Sequence, residues 1–171
     1  MIIRALDGVE ARAAVPALSG ILMDCVAGGA SVSFMADLAP AEAEAFWHGV
    51  AADVAGGGRA LLVAQDEGRL LGTVQVILAM PPNQPHRGEI AKMLVHRDGR
   101  RRGLGAALMG AAEDAARAAG KRLLTLDTVT DGDGHRLYRR LGWQVAGTIP
   151  DYALGPEGGP CPTTFMWKRI S

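Results

Sequence analysis

Residues 89–128, EIAKMLVHRDGRRRGLGAALMGAAEDAARAAGKRLLTLDT, carry the pattern that decides the fold. They read as an apolar strand, EIAKMLV, a basic glycine-containing turn, a helix from Leu104 to Ala119, and a second apolar strand, LLTLDT. The helix has an apolar stripe at Leu104, Ala107 or Leu108, Ala111, Ala115 and Ala118, and Gly120 stands where a helix ends in a left-handed residue. Strand, helix and strand in this order form a βαβ crossover, which puts Arg100-Arg101-Arg102-Gly103-Leu104-Gly105 at a helix N-terminus. The first N–H groups of a helix lack internal acceptors, and its dipole adds about half a positive charge there, so a phosphate is well received. Gly103 and Gly105 would let the backbone approach a bulky diphosphate. A plain glycine-containing helix start with solvated arginines is the alternative, and the turn alone does not choose between them.

Strands and helices alternate outward from this unit. Upstream, MIIRAL is a short strand, while Glu10 to Val26 and Pro40 to Val54 carry apolar residues at helical spacing, giving two early helices around a Gly-rich break. RALLVAQ and LLGTVQVILAM flank DEGR, a hairpin signal with Gly68 in the turn. Downstream, HRLYRRL is a short helix stopped by Gly142, and WQVAGTI and TTFMWKRI are closing strands around the loop LGPEGGPCPTT. No repeat or linker divides the chain, so residues 1–171 are expected to form one domain. A chain of this length buries about 70% of the surface it exposes when unfolded, enough to afford a cleft.

Composition narrows the partners. Apolar residues make up 49% and charged residues 21%, which is globular, and Lys+Arg and Asp+Glu balance at 18 each. Nucleic acid is therefore not expected as a partner, and the arginine run can only be a local device. The most apolar stretch, Val15 to Leu38, is interrupted by Pro16, Asp24 and Gly28-Gly29, so no membrane span is expected. The first residues show no secretory pattern, and Cys25 and Cys161 lie far apart without a CxxC. A reduced thiol pair and a cytoplasmic location follow as expectations. His48, His86, His96 and His135 form no zinc-binding spacing, and no metal is expected.

What is missing around the turn excludes several phosphate ligands. Gly105 is followed by Ala106-Ala107 where a Walker A loop needs Lys and Ser or Thr. Gly103 comes eight residues after Val95, and Leu108 occupies the place of the third glycine of a dinucleotide fingerprint, so NAD is not expected. Asp131-Gly132-Asp133-Gly134 lacks the later acidic residue of a calcium loop and reads as a chain break before a helix.

Arg100-x-x-Gly103-x-Gly105, after the strand KMLV and before an amphipathic helix, resembles motif A of the GNAT superfamily of N-acetyltransferases, Q/R-x-x-G-x-G/A. LYRRLGW resembles its later signature, with Tyr138 on a short helix ahead of Gly142-Trp143. GGASVSFMADL, HRGEIAKMLV, LLTLDT and PTTFMWKRI together are similar to the tabtoxin resistance acetyltransferases within that superfamily, over nearly the whole length. The chain departs from the superfamily at Arg97, where a Pro is common, and at Asp131, where an Asn is common.

The resemblance implies an α/β fold of the α+β type. Its mostly antiparallel, twisted sheet has about seven strands, with a V-shaped split between two parallel central strands and about four flanking helices. It implies acetyl-CoA as acetyl donor, with its pantetheine along Met93 and Val95 and its pyrophosphate on the backbone of Arg100, Arg101, Arg102, Gly103, Leu104, Gly105 and Ala106. Arg97, Arg101 and Arg102 are the candidates for the 3′-phosphate, and a backbone N–H of Met93 or Leu94 for the developing oxyanion. A primary amine must lose a proton before it attacks, which calls for a base, and Glu89 and Asp127 match the carboxylates of the tabtoxin resistance group. Strand alternation would put Glu89 on one face with Ala91, Met93 and Val95. The plainer alternatives are that Glu89 pairs with Arg87 or a distant arginine and that Asp127 caps a loop. Tyr138 is the candidate acid for the leaving thiolate, core packing being its alternative role. The expected acceptor is a primary amine on a small molecule, amino-acid-like or an antibiotic or toxin. A peptide N-acetyltransferase and a non-catalytic acyl-CoA-binding module are the alternatives, and a homodimer is compatible with each.

Overall fold

The computed structural model describes residues 1–171. Asp7 ends β1 (Ile2–Leu6) and caps α1 (Gly8–Ala13), accepting the Glu10 N–H while Glu10 accepts its own. The apolar period runs on toward Val26, but Pro16 fits only the first turn of a helix, so α2 (Val15–Ala27) starts afresh there. The one helix expected over 10–26 is therefore two. With α3 (Pro40–Ala55), α4 (Leu104–Ala118) and α5 (Asp133–Arg140) there are five helices against about four expected.

The strands β2 (Arg59–Asp66), β3 (Arg69–Ile77), β4 (Arg87–Val95), β5 (Leu123–Val129), β6 (Gln144–Leu154) and β7 (Pro160–Arg169) join β1 in one seven-stranded sheet ordered β1-β2-β3-β4-β5-β7-β6. All neighbours are antiparallel except β4 and β5, which the α4 crossover makes parallel. The β2–β3 turn passes through Glu67 (φ 46°) and Gly68 (φ 82°), both left-handed as a tight hairpin requires. The mixed, mostly antiparallel sheet expected from the sequence is the one found.

Two apolar cores sandwich the sheet. Val74, Val76, Ile90, Leu124, Leu126 and Met166 pack under α4 and α5, and Leu61, Val63 and Leu94 pack under α1 to α3 with Leu18, Leu22 and Trp47. A side chain as fully buried as Leu18 or Leu108 contributes about 1.5–3 kcal/mol over leaving it in water. No helix of the protein is long and apolar enough to cross a membrane.

Two irregularities shape the middle of the sheet. Parallel pairing of β4 with β5 covers only Arg87↔Leu123, Gly88↔Leu124 and Glu89↔Thr125, although the strands run on to Val95 and Val129. Beyond Glu89 they part in a V. β4 also bulges: Lys92 and Met93 lie between Ala91, opposite Gln75, and Leu94, opposite Thr73, so two residues face Val74 alone. The bulge reverses the alternation. Ile90 before it and Met93 and Val95 after it all pack on the α4 side, while Leu94 packs on the other. The expected face of Glu89, Ala91, Met93 and Val95 is thus broken after Ala91.

The β6–β7 hairpin loop is tied to the segment between α2 and α3. Ala36 N–H donates to the Pro156 carbonyl at 3.0 Å, and Ser31 Oγ donates to Leu154 O at 2.8 Å. β6 lies at the sheet edge and is exposed along nearly its whole length.

Candidate functional site

The basic turn leads from a short 3-10 turn, Arg97–Gly99, into α4. Arg101 (φ 60°) and Gly103 (φ 76°) are left-handed, and Gly103 is the N-cap of α4. This conformation turns successive N–H groups to one side as a concave nest for an anion. The N–H groups of Arg101, Arg102, Gly103, Leu104, Gly105 and Ala106, six in a row, have no acceptor in the protein, and the ladder of α4 begins with Ala107 N–H on Gly103 O. A Cβ on Gly103 would meet nothing within 4 Å, so its surface is open, whereas a Cβ on Gly105 would lie 2.9 Å from Leu137 Cδ2. Gly105 thus sits against the tip of Leu137 on α5, and a side chain there would have to displace it.

The arginines divide their work. Arg97 is held by Asp24 of α2 through its guanidinium and its N–H, the latter at 2.9 Å. Burial alone would raise the Asp24 pKa, but the Arg97 bonds and nearby His96 bring it below the usual carboxylate range. Arg102 pairs with Asp66, and exposed Arg100 folds back on the end of β4, its Nε donating to Val95 O at 3.3 Å. Val95 O also takes the buried Cys25 thiol at 3.5 Å, and burial pushes that thiol's pKa up. Of the residues expected near a 3′-phosphate, Arg101 alone has a guanidinium free of any partner, while Arg97 and Arg102 are spent on bracing the turn.

The V leads from this turn to the carboxylates. Glu89 is at the last parallel pair, its side chain 39% exposed and 3.5 Å from Arg87, which also donates to Thr125 Oγ1 at 2.8 Å. The Arg87 pairing weighed from the sequence is thus present. Asp127, two residues past Thr125, is exposed and forms neither ion pair nor hydrogen bond. Its charge nevertheless reaches two neighbours. Burial raises the Tyr138 pKa, and Asp127 raises it further; burial lowers that of Lys92, against the pull of Asp127. Tyr138 is 6% exposed and packs against Trp143, with ring centroids 6.2 Å apart. Core packing and proximity to Asp127 therefore coexist in this residue. Asp131 has its side chain in solvent and its N–H on His135 Nδ1 at 2.9 Å, so it organises the start of α5.

A hollow of about 440 Å³ lies over the uncovered face of β5 and β7 and is lined by Leu123, Phe165 and Trp167. It meets the site only at Thr125, so the cleft of interest is the open V itself. Sequence reading missed Lys92, whose Nζ is 3.1 Å from Ser33 Oγ and 5.7 Å from the centre of the Phe46 ring. The signal was a lysine interrupting an apolar strand. It also missed Asp24, for which no local pattern exists.

The family model described as acetyltransferase (GNAT) matches residues 29–143. The fold is similar to that of the acetyltransferase yncA of Salmonella typhimurium, solved with its cofactor acetyl-CoA, at 21% identity over 100% of this chain and 94% of that one, TM-score 0.80. It is similar to ribosomal-protein-alanine N-acetyltransferase of Brucella melitensis, at 22% identity over 99% of both chains, TM-score 0.80. Aminoglycoside 6′-acetyltransferase type Ii is also similar, at 20% identity over 100% of this chain and 98% of that one, TM-score 0.72.

Proposed function

The chain belongs to the acetyltransferase (GNAT) family, and on that footing we propose that it moves the acetyl group of acetyl-CoA to the primary amine of a small molecule. The observation that carries this reading is the row of six unpaired N–H groups at the mouth of a sheet that opens past Glu89. A pyrophosphate fits that row, and an extended pantetheine fits the backbone of Met93, Leu94 and Val95, which has no β5 partner there. Acetyl-CoA supplies a thioester, whose acyl carbon bonds to the amine nitrogen as its bond to sulfur breaks.

The protein's residues handle the protons. Asp127, unpaired and exposed at the widening of the V, is the better candidate to take the amine proton, with Glu89 as the second carboxylate along the same face. Tyr138 keeps its proton because burial and Asp127 raise its pKa, which suits a donor to the leaving thiolate. A bulge N–H, of Met93 or Leu94, is suited to the developing oxyanion. The contacts of Ala36 with Pro156 and of Ser31 with Leu154 close one side of the acceptor region, which favours a small acceptor of the tabtoxin-resistance kind over a peptide. We take residues 1–171 as one domain, working in the cytoplasm. The exposed edge strand β6, with Val145, Ile149, Tyr152 and Leu154, suits a second copy.

Release of CoA thiol from acetyl-CoA, followed across free amino acids, polyamines, aminoglycosides and N-terminal peptides, tests the reading. Turnover is expected with a free small amine and not with peptides. Turnover on peptides alone would move the function to protein acetylation, and tight acetyl-CoA binding without any turnover would make the chain a sensor.

A further inference from the structure

A charged side chain in the middle of an apolar strand needs a physical reason. Lys92 sits in the bulge of β4 at φ 49°, a left-handed conformation that residues with a Cβ adopt only at a cost. Bulges near active sites commonly serve to re-aim a side chain. Here the result is an ammonium turned toward Phe46 and Ser33, and Ser33 is itself left-handed at φ 79°. Two strained residues are thus spent on one contact.

That contact leaves the ammonium under-served. Its hydrogen-bond partner is a neutral hydroxyl, and it forms no ion pair. Burial disfavours its charge and Arg59 of β2 adds to this, while Asp127 across the V acts the other way. Close by, fully buried Gln75 gives its oxygen to Arg59 and has no partner for Nε2. Half-buried positive charge without a paired anion is unfavourable in the free protein and is relieved by any anion that arrives with the substrate.

We propose that Lys92 is a specificity-determining residue of the acceptor site: its ammonium receives a carboxylate of the acceptor, whose reacting amine lies at Asp127. The substrate class is then amines bearing a carboxylate, that is, amino acids and close derivatives. The proposal rests on the small-amine reading and narrows it. Asp127 and Lys92 present opposite charges across the V, matching a zwitterion. Polyamines and aminoglycosides would bring a second cation toward Lys92 and are disfavoured by the same charge.

The test compares matched acceptors in steady-state acetylation: amino acids with their carboxamides, and lysine and ornithine with cadaverine and putrescine. The wild type is expected to prefer the acids. Lys92→Met should lower kcat/KM for the acids by about 10- to 100-fold, mainly through KM, as expected for losing a charge-assisted hydrogen bond. It should leave the carboxamides and diamines unchanged or improved. Lys92→Arg should restore part of the preference, and calorimetric affinity for acetyl-CoA should be the same in all three proteins. Should Lys92→Met fail to fold, Lys92→Arg and the wild-type comparison decide. Absence of an acid preference in the wild type, or equal losses on both members of each pair, overturns the proposal and leaves the small-amine reading standing. A wild type that acetylates only peptides overturns both.

Discussion

Asp127 and Glu89 lie on the same face of the sheet, but their surroundings differ. Glu89 is engaged by Arg87, whereas Asp127 has no partner and acts on both Tyr138 and Lys92. Removing a positioned base typically costs 10²- to 10⁴-fold in rate. Asp127→Asn is therefore expected to lower kcat by about two orders of magnitude and Glu89→Gln by less, with acetyl-CoA affinity unchanged. The loss should shrink toward high pH, where free amine needs no base. Tyr138→Phe should show the reverse trend, its deficit growing as the solvent supplies fewer protons. Because the Tyr138 pKa is raised, the wild-type hydroxyl stays protonated through the ordinary tyrosine ionisation range near pH 10, and no alkaline loss of rate from this group is expected up to about that pH. Profiles of kcat against pH for the three variants check this. Wild-type rates in both amide variants would make the carboxylates structural. Glu89 and Asp127 were visible as carboxylates in apolar strands, and Tyr138 through the short-helix signature LYRRLGW. The turning of Lys92 was not, because a period of two cannot foresee a bulge that exists only in the pairing of β4 with β3.

The N-terminus of α4 does its work through backbone geometry. Gly103 at φ 76° has room for a Cβ but not the conformation for one, and a left-handed residue with a side chain costs about 1–2 kcal/mol. Gly103→Val is thus expected to lower the melting temperature by roughly 2–8 °C as well as raise the KM for acetyl-CoA. A thermal melt with initial-rate kinetics checks both. An unchanged KM would mean that the anion sits elsewhere. The helix, its stripe and its glycine stop at Gly120 were legible because they are local properties of residues 104–120. The split of the first helix at Pro16 was legible in principle, since proline is confined to a first turn. The destinations of the arginines were not. Arg97 finds Asp24 and Arg102 finds Asp66 across long stretches of chain, contacts that no local pattern encodes.

Across the whole molecule, strand pairing between the halves β1–β4 and β5–β7 is limited to three residue pairs, the rest of their contact running through the core under α4 and α5 and the Ser31 and Ala36 bonds to the β6–β7 loop. A ligand that lies along β4 and caps α4 ties the halves together. Acetyl-CoA at 100 times its dissociation constant stabilises the folded state by about 2.7 kcal/mol, so the melting temperature is expected to rise by roughly 5–11 °C. NAD and ATP should shift it far less. A scanning-fluorimetry titration reads this directly, and no shift with acetyl-CoA would remove the assignment of the V as its site. The short seam has a consequence for how long the protein survives in a cell. Proteases act on opened forms, and opening is rarer the more often the seam is bridged. Occupation of the gap between two strands should then set how fast an added protease digests the chain, with slower cleavage at saturating acetyl-CoA than without it.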